Sequence, residues 1–84
     1  MELTKNQIDF IKILQEHGNG DNKVLEDYKL EKLEKEFKVF LDYDSVLEPL
    51  EKMGYIECEL FTINNVCYWL TDKGKEYASK NRNT

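Results

Sequence analysis

The chain has 84 residues, enough for one domain with a single core, so most of its large apolar side chains must be inside. It is 40% hydrophobic and 35% charged, and no apolar run approaches the ~18 residues that make a membrane-spanning helix. The net charge is −5, and its distribution is uneven: between Asp42 and Glu59 six acids face the single base Lys52, while the rest of the chain is balanced at eleven of each sign.

The first segment, Leu3 to His17, reads as a helix. Thr4 and Gln7 form a T-x-x-Q capping box, and Leu3 and Ile8 are placed as a hydrophobic staple. Ile8, Ile11 and Leu14 make the central stripe, widened by Phe10 and Ile13, and Gly18 ends it. Gly18 to Asn22 is a loop by composition. Read as one helix, Val24 to Phe37 puts Leu30, Leu33 and Phe37 on one face and Val24 and Tyr28 on the opposite one. A break removes the conflict: Lys23-Val24-Leu25 becomes a short strand that must pair with a later hairpin, and Asp27 caps a helix over 28–38. Phe40, Leu41 and Tyr43 then form a turn tucked into the core.

The following helix has two possible starts. Asp42 or Asp44 caps it, or Ser45 and Glu48 form an S-x-x-E box. A start at 43–45 keeps Pro49 near the first turn, where it removes only one ladder bond, with some irregularity around it. Val46, Leu47, Leu50 and Met53 form the apolar face, and Gly54 sits where a helix end favours a left-handed residue.

From Tyr55 to Leu70 the pattern is β. Ile56, Cys58 and Leu60 alternate with Glu57 and Glu59, so they face inward. Val66, Tyr68 and Leu70 are the matching inward set, which turns Cys67 and Trp69 away from the core and leaves Phe61 and Trp69 as partly exposed aromatics. A two-residue Asn64-Asn65 turn would instead pair Trp69 with Leu60. Thr71 caps a last short helix in which Gly74 permits a close approach, and Asn81 to Thr84 is expected to fray.

The order is helix, short strand, helix, helix, two-stranded wing, helix: an α+β fold occupying residues 1–84 as a single domain. Residues 47–57 (LEPLEKMGYIE) and 68–78 (YWLTDKGKEYA) resemble the helix-to-wing junction and the wing exit of winged helix-turn-helix domains of the MarR and PadR type. The second half of the chain carries the resemblance, and the first half matches in element order. The resemblance implies a small winged helix whose third helix enters the major groove of DNA while wing cations grip phosphate. Carried over, the reading positions are Asp42, Asp44, Ser45, Glu48, Pro49 and Lys52. Three of these are carboxylates, and there is no Lys or Arg from Tyr55 to Thr71, so this surface repels phosphate. Cations lie elsewhere, at Lys29, Lys32, Lys35 and Lys38, where interleaved glutamates suggest a solvated face with i,i+4 pairs, and at Lys73, Lys75, Lys80 and Arg82.

Two functional expectations follow. One is a non-enzymatic module that binds a basic, nucleic-acid-handling protein through Asp42, Asp44, Ser45, Glu48, Glu51 and Lys52 on the third helix and Phe61 and Trp69 on the wing. It is similar in kind to small acidic winged-helix proteins of phages and mobile elements. The other is a DNA-binding transcriptional regulator of the MarR/PadR type. An acidic surface is also what solubility alone asks for. Neither a catalytic set nor a cofactor or metal is expected. His17 is the only histidine, placed at the C-terminal carbonyls of its helix. Cys58 and Cys67 supply at most two metal ligands, and they face each other for a disulfide only across a four-residue loop at 61–64. Gly18-Asn19-Gly20 lacks the rest of a phosphate loop. With no signal pattern in MELTKNQIDF and two free thiols, the expected compartment is the cytoplasm. No membrane partner is expected, and monomer and homodimer both stay open.

Overall fold

A computed structural model describes residues 2–21, 23–63 and 65–80, which form an α+β fold of four helices and a three-stranded antiparallel sheet. The order is the expected one: α1 (Lys5–His17), β1 (Leu25–Glu26), α2 (Leu30–Phe37), α3 (Glu48–Lys52), β2 (Ile56–Thr62), β3 (Asn65–Leu70) and α4 (Asp72–Lys80). The layout is winged-helix-like, with β2 and β3 as the hairpin. The residues expected to fray, 81–84, and Asn64 of the hairpin turn lie outside the described residues.

α1 begins at the anticipated capping box. Thr4 Oγ1 accepts from the Gln7 N–H (3.2 Å), and Gln7 Oε1 accepts from the Thr4 N–H (2.9 Å). Its buried stripe is Phe10, Ile11, Ile13 and Leu14, centred one step away from the expected line. Ile8 is half-buried, and Gln7 is turned inside. After α1 the chain doubles back, with Asn19 and Val24 exchanging backbone bonds (2.8 and 3.0 Å). The short strand therefore starts two residues and ends one residue later than Lys23–Leu25, and it does pair with the hairpin: Leu25 opposite Tyr68, Glu26 opposite Cys67.

Asp27 does not cap α2. Its carboxylate accepts from the buried Tyr68 hydroxyl (3.0 Å), and α2 starts instead through a 3-10 turn over Asp27–Lys29 without a side-chain cap. Lys38, at φ 56°, ends α2, and Glu34 Oε2 accepts from the Leu41 N–H (2.9 Å), which draws Leu41 into the core. Of the three residues expected inside this turn only Leu41 is buried. Phe40 is 55% and Tyr43 47% exposed, because seating Leu41 turns its neighbour outward and Tyr43 becomes an outer residue of the next helix.

Asp42 sets the start of that helix. Its Oδ2 accepts from both the N–H and the hydroxyl of Ser45 (3.0 Å each). The first turn, Tyr43–Leu47, is π-helical, with Val46 and Leu47 both donating to the Asp42 carbonyl (2.9 and 3.3 Å). This is the irregularity that Pro49 foreshadows. A proline has no N–H, so it cannot bond the Ser45 carbonyl four residues back. That carbonyl accepts from Gln7 Nε2 of α1 instead (3.1 Å). α3 ends as expected at Gly54, φ +85°, whose N–H bonds the Glu51 carbonyl (3.0 Å) while Tyr55 N–H bonds that of Leu50 (2.9 Å).

The hairpin takes the preferred register: Ile56 opposite Leu70, Cys58 opposite Tyr68, Leu60 opposite Val66, with a bulge between Leu60 and Thr62. Trp69 faces away from the core beside Glu57. Cys67 also does so, yet it is buried, because it lies on the central strand between the longer Glu26 and Glu59. Leu60 lies on the inward side but beyond the end of the core, and it is 61% exposed. α4 is capped by Thr71, whose Oγ1 accepts from the Gly74 N–H (3.1 Å) and donates to the Gly54 carbonyl. A Cβ at Gly74 would collide with the Tyr55 carbonyl oxygen, so the close approach at this glycine is to the start of β2. The core gathers α1, α2, α3 and the sheet around Phe10, Leu14, Leu47, Leu50, Ile56 and Leu70. Each such side chain contributes about 2 kcal/mol on full burial. Among the described residues no helix is long and apolar enough to cross a membrane.

Candidate functional site

The acidic residues of the third helix are set in place by three local features: the Asp42 cap, the π-helical turn and the Gly54 stop. Asp44 is exposed, Glu48 is half-buried and pairs with Lys52 (2.9 Å), and Glu51 is half-buried against β2, where it accepts from the Cys58 thiol (2.7 Å). These carboxylates converge on Tyr43. Its phenol is pushed above the ordinary range by desolvation, then by Glu48, Glu51, Cys58 and Asp44. Four groups from the helix and one from the hairpin thus share one neighbourhood, in which, among the described residues, Lys52 is the cation paired with a carboxylate. Lys52 in turn is held above its ordinary value by its hydrogen bond and attraction to Glu48.

The Cys58 thiol is a donor in this arrangement. Burial, then the hydrogen bond it donates to the Glu51 carboxylate, lifts it to about 11, so it stays protonated and unreactive at neutral pH. Cys58 and Cys67 are both free, and the register puts them on opposite faces of the sheet, which rules out the four-residue-loop pairing weighed from the sequence. Among the described residues no three His, Cys, Asp or Glu side chains converge as metal ligands. His17 packs its ring against Phe37 (centroids 4.9 Å apart).

The aromatic half of the expected site does not join the acidic half. Trp69 is on the outer face of the hairpin, where its Nε1 donates to Glu57 (3.2 Å). The open cleft beside it is lined by Glu57 and Asp72 but also by Lys73 and Lys75, so its charge is mixed. Lys73 is drawn the other way, donating to the Met53 carbonyl at the end of α3 (2.7 Å) above the Tyr55 ring. Phe61 stands at the hairpin's end with Leu60 and Ile63, 59%, 61% and 90% exposed. Asp42 and Ser45 have their side chains committed to each other as the helix cap. The carboxylate surface on this helix therefore comes down to exposed Asp44 and half-buried Glu48 and Glu51 beside Tyr43, reaching β2 at Cys58.

Tyr43 and Cys58 were not among the expected site residues. The sequence held a signal for Cys58, since its inward phase on β2 faces whatever α3 presents. Tyr43 had none, because a tyrosine beside a core leucine reads as core. On α2, Lys35 pairs with Glu31 (3.4 Å), the i,i+4 arrangement expected there, and ahead of the helix Lys29 pairs with Glu26 of β1 (3.8 Å). No family model, no curated protein and no solved structure matches the chain.

Proposed function

We propose that this chain is a non-enzymatic, cytoplasmic interaction module that binds a basic, nucleic-acid-handling protein through the acidic surface of its third helix and the adjoining hairpin. The supporting observation is the convergence of Asp44, Glu48 and Glu51 on Tyr43 beside β2, in a fold whose corresponding helix serves DNA recognition in the winged-helix regulators it resembles. A phosphate backbone brought to this surface meets carboxylates from the helix and finds no cation between Tyr55 and Thr71. A lysine- or arginine-rich protein surface meets complementary charge, which speeds encounter and selects the partner. Exposed Tyr43 and the apolar hairpin tip add the desolvated area that charge alone does not supply.

Reversing two charges, Asp44→Lys with Glu48→Lys, tests this reading. Asp44 is exposed, and Glu48 is half-buried with Lys52 as its ion-pair partner, so circular dichroism of the variant checks that the fold survives. Partner binding falls tenfold or more, roughly the loss expected when two rim pairs become repulsive. Binding that survives the double reversal places the site elsewhere. Trp69→Ala, on the other face, reports separately whether the partner wraps the hairpin. The element order also favours a second reading, a DNA-binding regulator of the MarR/PadR type. It requires the nucleic acid to use a surface away from α3, such as the exposed Lys32 of α2 and Lys38 just past its end.

A further inference from the structure

The sheet order is β1-β3-β2, so β2 has a strand on one side only. The ladder's phase follows from one bond. Thr71 N–H donates to the Tyr55 carbonyl (3.1 Å), and Ile56 is opposite Leu70. In an antiparallel pair the backbone groups of successive residues alternate in direction. Tyr55, Glu57 and Glu59 therefore direct theirs at β3, and Ile56, Cys58 and Leu60 direct theirs to the open edge. Among the described residues no other backbone segment bonds Cys58 or Leu60 there. Natural edges are usually blunted by lysine, proline or an early bulge. This edge has no lysine or proline from Ile56 to Thr62, its bulge comes only at the far end, and every residue from Glu59 to Ile63 is exposed.

The two side-chain faces of the edge differ. Glu57 and Glu59 project on the outer face, where Glu59 makes no hydrogen bond or ion pair among the described residues. Cys58 and Leu60 project on the inner one, next to Tyr43 and Glu51. A second copy is a poor occupant. Antiparallel pairing of two β2 edges about Cys58 sets Glu57 against Glu59, and pairing about Glu59 sets that residue against itself, and like charges directly opposite destabilise a ladder. Pairing about Leu60 avoids this only by running into the bulge between Leu60 and Thr62. The same charges favour a strand of opposite sign.

We infer that the β2 edge takes up an extended basic segment of a partner protein as a fourth strand, with lysine or arginine side chains opposite Glu57 and Glu59 and apolar ones beside Cys58 and Leu60. This rests on the proposed recognition of a basic protein and specifies its mode. Backbone bonds to Cys58 and Leu60 supply affinity, and the period-two pattern supplies specificity. A nucleic acid has no amide ladder to complete these bonds.

The test uses the full chain and short blocked peptides in which lysine alternates with valine. The residues opposite Cys58 and Leu60 are the valines, so N-methylation at the valines removes the ladder bonds, while N-methylation at the lysines faces solvent. The expected result is binding that moves the Cys58 and Leu60 amide resonances, weakens about tenfold on methylation at valine, and is unchanged on methylation at lysine. Leu60→Pro deletes the outward N–H without touching the β2–β3 ladder. It loses binding to the same extent while its circular dichroism stays that of the parent. Binding that is indifferent to the position of methylation, or that persists in Leu60→Pro, overturns strand addition and leaves recognition of basic protein standing. If no lysine peptide binds even at low salt, strand addition is overturned together with the reading beneath it.

Discussion

Gln7 and Cys58 carry two bonds that neither local sequence predicts in full. Gln7 closes its own capping box and also donates to the Ser45 carbonyl, which Pro49, four residues on, cannot bond. Gln7→Ala loses both bonds, at a cost of about 2 kcal/mol in denaturant unfolding. Gln7→Glu separates them. The carboxylate still accepts from Thr4 N–H but sets an oxygen against the Ser45 carbonyl, so this variant is also destabilised, and the helix start alone does not account for the loss. The capping role was legible from the T-x-x-Q spacing. The second role was not, because it depends on a carbonyl freed by a proline far along the chain. For Cys58 the sign of the pH effect follows from its raised pKa. The folded state holds the proton to about 11 against an ordinary thiol value of 9.0. Its contribution to stability is full below pH about 9 and is lost as pH rises through about 11. In a Cys67→Ser background, thiolate absorbance titrates near that upper value. With Glu51→Gln it titrates lower, since the accepting carboxylate is gone. An unchanged midpoint in Glu51→Gln would show that burial alone sets it.

At the scale of elements, the third helix and the hairpin are a single joint. Gly54 turns the chain, Thr71 spans from α4 back to the Gly54 carbonyl, and Gly74 lets α4 lie against the Tyr55 carbonyl. Gly74→Ala inserts a Cβ into that carbonyl and costs about 1–3 kcal/mol, seen as a lower Tm with the far-ultraviolet spectrum of the folded state retained below it. Retention of the parent Tm would mean that α4 is held away from the sheet. This joint was the most legible part of the sequence. Glycine, the Thr71 cap and the alternation from Ile56 to Leu60 each have one local reading, and they agree. The turn between α2 and α3 was not legible. Phe40, Leu41 and Tyr43 are all large and apolar, and the choice of Leu41 depends on the Glu34 carboxylate that reaches its N–H. Asp27 misled for the same reason: a buried tyrosine hydroxyl on β3 claimed it before the helix end could.

Over the whole molecule, the described residues pack to a radius of gyration of 11.8 Å, in line with the ~12 Å that a single compact domain of this length adopts. The fold was readable because burial patterns are set by periodicity. The site was only half readable, because the sequence shows charge excess but not which face carries it. The structure brings the helix carboxylates to Tyr43 and Cys58 and sends Trp69 to the opposite face of the hairpin. If the α3 surface serves a basic protein and not DNA, a labelled mixed-sequence duplex titrated with the chain at low salt shows no saturable change in anisotropy, because the wing carries no Lys or Arg to hold phosphate. Tight binding that weakens steeply as salt is added would contradict it.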